Sequence, residues 1–103
     1  MSRIVNMKRE PDAVADGAVR IDRRTVWGNP FEIGRDGNRA QVIARYRADL
    51  WRRIRAGEIA LAAVAVLDGR DLACHCVPKP CHGEVLARAA AWAAARIRER
   101  GAG

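Results

Sequence analysis

The sequence has 103 residues, and its 19 Lys and Arg residues exceed its 12 Asp and Glu residues, which gives a net charge of +7 at pH 7. This length corresponds to a single domain over 1–103, and the hydrophobic fraction of 50% excludes a wholly disordered chain. No apolar stretch approaches the roughly 20 residues that a membrane span needs. The first residues also lack the apolar core of a signal peptide. We therefore expect a cytoplasmic protein that does not associate with membranes.

Arginine supplies nearly all of the positive charge. Because guanidinium groups form paired hydrogen bonds with phosphate, a nucleotide, another phosphorylated small molecule or nucleic acid is a candidate partner. A solvated surface without a specific role is an equally simple interpretation, since composition bears on solubility and association rather than on fold.

Alternating apolar residues predict two short strands, over 3–7 and 19–22, which a loop with Pro11 and Gly17 separates. Residues 23–37 form the least regular segment.

The segment from Asp36 to Asn38 opens a helix. Asn38 is suited to its N-cap, and Gln41 follows three residues later, as in a capping box. The apolar stripe of this helix consists of Val42, Ile43, Tyr46, Leu50 and Ile54. Gly57 ends the helix.

Residues 58–67 are apolar on nearly every side, which predicts a second, buried helix. Residues 71–77 predict a core strand that places Cys74 and Cys76 on one side and His75 on the other. After a stiff turn at 78–80, a last helix starts near Cys81 to Gly83, with an apolar face of Val85, Leu86, Ala89, Ala93 and Ile97. We expect the last three residues, 101–103, to be frayed. This order of elements predicts a small α/β layer with parallel pairing in its second half.

The three cysteines of the chain lie within eight residues, which does not suit a disulfide framework. One interpretation is a metal site, because Cys74, Cys76, Cys81 and His82 make up the Cys₃His set of structural zinc sites. The C-x-C spacing is tighter than the usual one. Another interpretation makes Cys74 and Cys76 plain core residues, since cysteine is among the most buried residue types.

A third interpretation places an anion at the start of the last helix, where unpaired amides and the helix dipole attract negative charge. Lys79 precedes this point, and Gly83 permits a close approach of the backbone. The same position would lower the pKa of the Cys81 thiol and make it a nucleophile. His82 would then act as an acid, as a base or as a hydrogen-bond donor to phosphate.

A second cluster reads Trp27-Gly28-Asn29-Pro30-Phe31. Pro30 stiffens this loop, Trp27 offers a stacking surface for a base, and Asn29 offers a donor and an acceptor. The alternative is that Trp27 and Phe31 only anchor a long loop to the core. Four arginines that suit phosphate binding flank the loop: Arg23, Arg24, Arg35 and Arg39.

Trp51 and Trp92 fall on the predicted helices, where they indicate the edge of the core or the contact of a homodimer.

The sequence resembles the family called domain of unknown function 4326. The resemblance rests on two motifs in this order, W-G-N-P-F at 27–31 and C-x-C-x-P-x-x-C-H-G-E-x-L at 74–86. Members are small proteins of bacteria and their phages, and the resemblance covers about 19–95. It implies a compact, Rossmann-like α/β domain in a bacterial cell, encoded by the bacterium or by a phage, without an assigned activity. Members often carry Trp between the first two cysteines. This chain has His75 there, which weakens a stacking role at that position.

We therefore expect a small, single-domain, Rossmann-like α/β protein whose short, mostly parallel sheet is packed by helices. A nucleotide or related phosphorylated ligand would lie between the 27–31 loop and the helix start. The predicted ligand-binding residues are Trp27, Gly28, Asn29, Lys79, Gly83 and Arg24.

If the protein is an enzyme, Cys81 would be the nucleophile and His82 the acid or base. The alternative function is a zinc-stabilised nucleic-acid-binding module that uses Cys74, Cys76, Cys81 and His82 as metal ligands. A third is an interaction protein that dimerises through Trp51 or Trp92. The sequence identifies no cofactor.

Overall fold

Three short parallel strands form the sheet of the protein, seen in a computed structural model that describes residues 2–76 and 79–102. β1 (Ile4–Asn6) and β2 (Val19–Arg20) flank β3 (Leu72–Cys74), so the strand order is β1-β3-β2. The predicted strand positions are confirmed. The third strand is shorter than the predicted 71–77, and the predicted strand end and turn at 77 and 78 lie outside the described residues.

Both strand pairs are parallel, with Val5 opposite Ala73 on one side of β3 and Val19 opposite Leu72 on the other. The carboxyl ends of all three strands therefore meet at one edge of the sheet. This confirms the prediction of a small α/β domain with parallel pairing. The assignment to the Rossmann-like kind stays a prediction.

Helix α1 (Arg39–Arg55) begins with the predicted capping box. The amide of Gln41 donates to the Asn38 side chain at 2.9 Å, and the amide of Asn38 donates to the Gln41 side chain at 2.8 Å. The residues of the predicted stripe that are fully buried are Val42, Tyr46 and Leu50. The capping box and the buried stripe together explain why the helix forms here and which face it turns to the core.

Helix α2 (Leu61–Ala65) has only five residues, so the prediction of a buried helix over 58–67 is wrong in length and in burial. Ala60 is extended, and Val66, after the helix, is 64% exposed. The residues of the segment that the core covers are Ile59, Val64 and Leu67. Small alanines on the outer side cost little in water, so the apolar composition did not require burial on every side.

Helix α3 (His82–Ala102) packs against α1, α2 and the sheet. Its buried face contains Leu86, Ala89, Ala90 and Ala93, whereas Ile97, predicted on this face, is 39% exposed. The helix continues through Ala102, so the expected fraying of 101 and 102 is not seen, and Gly103 lies outside the described residues. Within the described part of the chain, no helix combines the length and the apolar character that crossing a membrane requires.

Trp51 on α1 and Trp92 on α3 meet edge to face, with ring centroids 5.0 Å apart. Trp51 packs against the core, and Trp92 is 41% exposed. The two rings therefore lie at the edge of the core, one of the two positions that the sequence indicated for them. A homodimer through these residues stays a prediction.

Candidate functional site

A cavity of about 320 Å³ opens at the carboxyl edge of the sheet. It lies beyond the ends of β2 and β3 and beside the first turns of α1 and α3, which is where open parallel sheets bind ligands. The lining residues after β2 and in the loop that follows are Asp22, Arg23, Arg24, Asn29, Phe31 and Ile33. Those of α1 and of the β3–α3 region are Arg39, Val42, Ile43, Cys74, His75, Cys76, Pro80, Cys81 and His82.

The 27–31 loop is held against α1 by side chains of its own motif. Asn29 is buried, donates from Nδ2 to the Val42 carbonyl at 3.1 Å, and accepts from the Phe31 amide at 2.9 Å. The hydroxyl of Tyr46 donates to the Trp27 carbonyl at 2.9 Å, and the Trp27 ring packs on the core. Phe31 lines the cavity and Trp27 does not, so the loop presents Phe31 as its aromatic surface.

Glycine is required at position 28 because another backbone segment approaches it closely. A Cβ at this position would lie 2.5 Å from the Asp22 carbonyl oxygen and 2.6 Å from the Arg23 Cα. Since backbone atoms cannot yield as a flexible side chain can, only glycine fits. Gly28 therefore fixes the path of the loop and is not among the residues that line the cavity.

Three arginines line the cavity, and they differ in how strongly other groups hold them. Arg23 forms an ion pair with Glu32 at 2.7 Å, and Arg39 donates to the Pro80 carbonyl at 3.2 Å. Within residues 2–76 and 79–102, the Arg24 guanidinium forms no ion pair. Among the cavity arginines, Arg24 is therefore the one whose guanidinium is most available to bind an anionic ligand. Arg35 is paired with Asp36 and does not line the cavity.

Asp22 is a cavity residue that the sequence analysis missed. Its carboxylate accepts from Arg20 Nε at 2.8 Å, and the His75 Nε2 lies 3.6 Å away. The hydrogen bond from Arg20 is the main reason that the pKa of Asp22 is lowered. The available signal was its position directly after a strand, where a parallel sheet places its ligand site.

The three cysteines meet at one wall of the cavity, with their sulfur atoms all within 4.8 Å of one another. Cys74 and Cys81 are buried, and the Cys81 thiol donates to the Cys74 sulfur at 3.3 Å. The Gly83 amide donates to the Cys81 sulfur, also at 3.3 Å, so this sulfur caps α3. Cys74 also belongs to the hydrophobic core, as the simplest interpretation of this residue predicted.

The expectation of a lowered Cys81 pKa is wrong. The hydrogen bond to Cys74 and the burial of the sulfur raise the pKa of the Cys81 thiol, and the Gly83 amide only partly opposes them. A cysteine at a helix start becomes a reactive thiolate when its sulfur is also partly exposed and near positive charge. Here the sulfur faces another thiol in the core, so the free thiol is a poor nucleophile.

His82 is buried at the first turn of α3, with its Nε2 2.8 Å from the Ile21 carbonyl oxygen. A carbonyl only accepts, so Nε2 carries the proton and Nδ1 has a free lone pair. This Nδ1 lies 3.7 Å from the Cys81 sulfur, and the ring packs on Tyr46 at 4.9 Å. Burial lowers the pKa of His82 and favours the neutral imidazole.

Two predicted site residues at the helix start do not line the cavity. Gly83 is buried under α3, where an added Cβ would lie 2.9 Å from Ile21 Cδ1 and 3.1 Å from Ile4 Cδ1. Lys79, between Cys76 and Cys81 in the chain, is exposed. The predicted residues that meet at the cavity are Arg24, Asn29, Cys74, Cys76, Cys81 and His82.

Comparison with known proteins agrees with the resemblance seen in the motifs. The family model described as Domain of unknown function (DUF4326) matches residues 5–92. The chain is 41% identical over 88 residues to an uncharacterized 12.4 kDa protein encoded in the nrdA-td intergenic region of Enterobacteria phage T4. The match covers 84% of this chain and 75% of that protein. No solved structure matches significantly. The chain therefore belongs to the family of domain of unknown function DUF4326.

Proposed function

We propose that this protein binds a nucleotide or a related phosphorylated small molecule in the cavity at the carboxyl edge of its sheet. The observation that supports this proposal is the lining of the cavity, which combines arginines with an apolar wall. Such a lining suits a ligand with an anionic end and a flat, less polar end.

The volume of about 320 Å³ limits the size of the ligand. Cavities that bind small molecules range from roughly 300 to 1,000 Å³, so this one lies at the small end of that range. A mononucleotide or a sugar phosphate fits this size better than a dinucleotide does. The ligand that we propose is therefore a single phosphorylated molecule of this size, not a dinucleotide.

The phosphate would lie against Arg24 and Arg39, with the His75 side chain at the same rim. This differs from the expectation that Lys79 and Gly83 hold the phosphate, because neither residue lines the cavity and the Cys81 sulfur already accepts from the first turn of α3.

The base or sugar would lie against Phe31, Ile33 and Ile43. Phe31 takes the stacking role that the sequence assigned to Trp27, because the Trp27 ring packs on the core. Asn29 would support this wall through its hydrogen bonds to the loop and to α1.

Isothermal titration calorimetry tests the proposal with the four ribonucleoside 5′-monophosphates and, in parallel, the four nucleosides. We expect at least one monophosphate to bind with a stoichiometry of about one per chain and its nucleoside to bind much more weakly. Equal binding of nucleoside and nucleotide would contradict a phosphate subsite, and no binding of any of them would contradict a nucleotide as the ligand.

Nucleic-acid binding is a second candidate, which the net charge of +7 favours. Affinity for a single-stranded oligonucleotide that falls steeply with salt would support it. Affinity that does not depend on salt would contradict it. Catalysis by Cys81 and His82 stays a prediction, which the raised pKa of the Cys81 thiol does not support.

A further inference from the structure

All three cysteines of the chain meet at one point of the fold. Cys74 lies at the end of β3, Cys76 in the loop after it and Cys81 at the start of α3. The cluster therefore joins three successive parts of the fold. Two of the sulfur atoms are buried and the third is half-buried. A cluster of three thiols is a donor set that soft divalent metals, zinc above all, prefer.

The distances in this cluster agree with a tetrahedral metal site. Bonds of about 2.3 Å to sulfur and about 2.0 Å to nitrogen place ligand atoms roughly 3.5–3.8 Å apart around zinc. The Cys81 and Cys74 sulfur atoms are 3.3 Å apart, and every pair of the three sulfur atoms is within 4.8 Å. Shifts of less than about an ångström would therefore give tetrahedral spacing.

His82 lies beside the cluster and is the candidate for a fourth ligand, although its ring nitrogens are not among the ligand atoms that lie within 4.8 Å of one another. Its Nε2 donates to the Ile21 carbonyl, which leaves the Nδ1 lone pair 3.7 Å from the Cys81 sulfur. Histidines that bind metals regularly donate their other ring N–H to a carbonyl or carboxylate in this way, which fixes the ring. Metal binds to the ring nitrogen that carries no proton, which is Nδ1 here because Nε2 donates to the Ile21 carbonyl.

We propose that Cys74, Cys76 and Cys81 bind one zinc ion as thiolates, with Nδ1 of His82 as the fourth ligand. The ion would tie the end of β3 and the loop after it to the first turn of α3. Four protein ligands make this a closed, structural site, which stabilises the wall of the cavity and does no chemistry of its own. The site does not depend on the proposed function, because metal binding is measured without any nucleotide.

Metal content of the full chain is the first test. The protein is purified under reducing conditions without added metal and without an affinity tag, and its zinc is measured by inductively coupled plasma mass spectrometry. We expect about one zinc per chain. Protein without zinc is titrated with Co²⁺, and we expect the intense visible absorption of tetrahedral cobalt with thiolate ligands.

Substitutions identify the ligands. Cys76→Ser changes the half-buried cysteine and is expected to lower the metal content to well below half of the wild-type value. His82→Gln retains a donor for the Ile21 carbonyl but lacks Nδ1, so we expect weaker zinc binding and altered cobalt absorption. His75→Gln is the matched histidine control, since His75 is exposed and faces Asp22, and it is expected to bind metal as the wild type does.

A wild-type protein that takes up neither zinc nor cobalt while reduced would overturn the proposal, and this result does not depend on whether any variant folds. A disulfide between Cys74 and Cys81 that persists under the reducing conditions of the purification would also overturn it. Full metal affinity in His82→Gln would overturn the assignment of the fourth ligand. We expect a strong chelator to lower the melting temperature of the wild type and added zinc to restore it.

Discussion

The His82 Nε2 lies 2.8 Å from the Ile21 carbonyl oxygen, and this hydrogen bond joins the first turn of α3 to the end of β2. It fixes the ring so that Nδ1 faces the Cys81 sulfur. Gly83, the next residue, lets the helix approach closely enough for this contact, since any Cβ there would press on Ile21 and Ile4. The C-H-G sequence at 81–83 thus places the Cys81 sulfur and the His82 imidazole next to Gly83, where the helix packs closely on Ile21 and Ile4.

Arg24→Ala is expected to weaken binding of the nucleotide identified by calorimetry by about tenfold or more. A charge-assisted hydrogen bond contributes roughly 1.5–3 kcal/mol, and the Arg24 guanidinium forms no ion pair within the described residues. The matched control is Arg98→Ala, sixteen residues beyond the start of α3 at His82. Equal losses in both variants would show a general charge effect and contradict a phosphate site at Arg24.

Gly28→Ala is expected to reduce the free energy of unfolding by roughly 1–3 kcal/mol, because the added methyl group would collide with the backbone of Asp22 and Arg23. Urea denaturation followed by circular dichroism measures the change. Gly101→Ala is the control, since its added Cβ would lie within 4 Å of no atom other than those of its chain neighbours and its own helix backbone. A Gly28→Ala protein as stable as the wild type would show that the two backbone segments are not as close as described.

Asn29→Ala is expected to lower stability by about 2 kcal/mol, because both hydrogen bonds of the buried amide are lost at about 1 kcal/mol each. Thermal and urea denaturation without any ligand measure this. Asn38→Ala, which removes the N-cap of α1, provides a comparison at about 1 kcal/mol. If the Asn29 side chain held no protein group and contacted only a ligand, its substitution would change affinity and leave the stability of the free protein intact.

Asp22→Asn is expected to lower stability at neutral pH by about 0.5–1 kcal/mol, a modest value because Arg20, its ion-pair partner, is 38% exposed. The pKa of Asp22 is lowered in the folded protein, so the carboxylate stabilises the fold above its unfolded pKa of about 3.9 and ceases to do so as the pH falls through its folded pKa. The difference between wild type and variant should therefore shrink as the pH falls from about 5 through the folded pKa of Asp22. Urea denaturation across this range measures it, with Asp12→Asn as an exposed control. A difference that stayed constant or grew toward low pH would contradict the ion pair.

Local sequence patterns were sufficient to predict the elements that local interactions determine. Asn38 and Gln41 form the predicted capping box because both hydrogen bonds lie within four residues of chain. The start of α3 near Cys81 is likewise predicted from residues close in sequence, Pro80 and Gly83. The short β2 was recognisable from the alternation of Val19 to Asp22.

Long-range contacts determine the features that the sequence did not predict. The pKa of Cys81 depends on Cys74, seven residues away, and on burial that only the packed sheet supplies. The membership of Asp22 and Ile43 in the cavity depends on the parallel pairing of β2 with β3 and on the placement of α1. The length of α2 was overestimated because alanine-rich composition favours helix without showing which face is covered.

A titration followed by ¹⁵N–¹H correlation spectroscopy tests the proposed binding cavity most directly. Labelled protein is titrated with a mixture of the four ribonucleoside 5′-monophosphates. We predict shifts of the amide signals that surround the cavity, from Asp22 to Arg24, around Phe31, and from Cys74 to Cys76, with little change in α2 and the last turns of α3. No shifts, or shifts centred on the face around Trp51 and Trp92, would contradict the account.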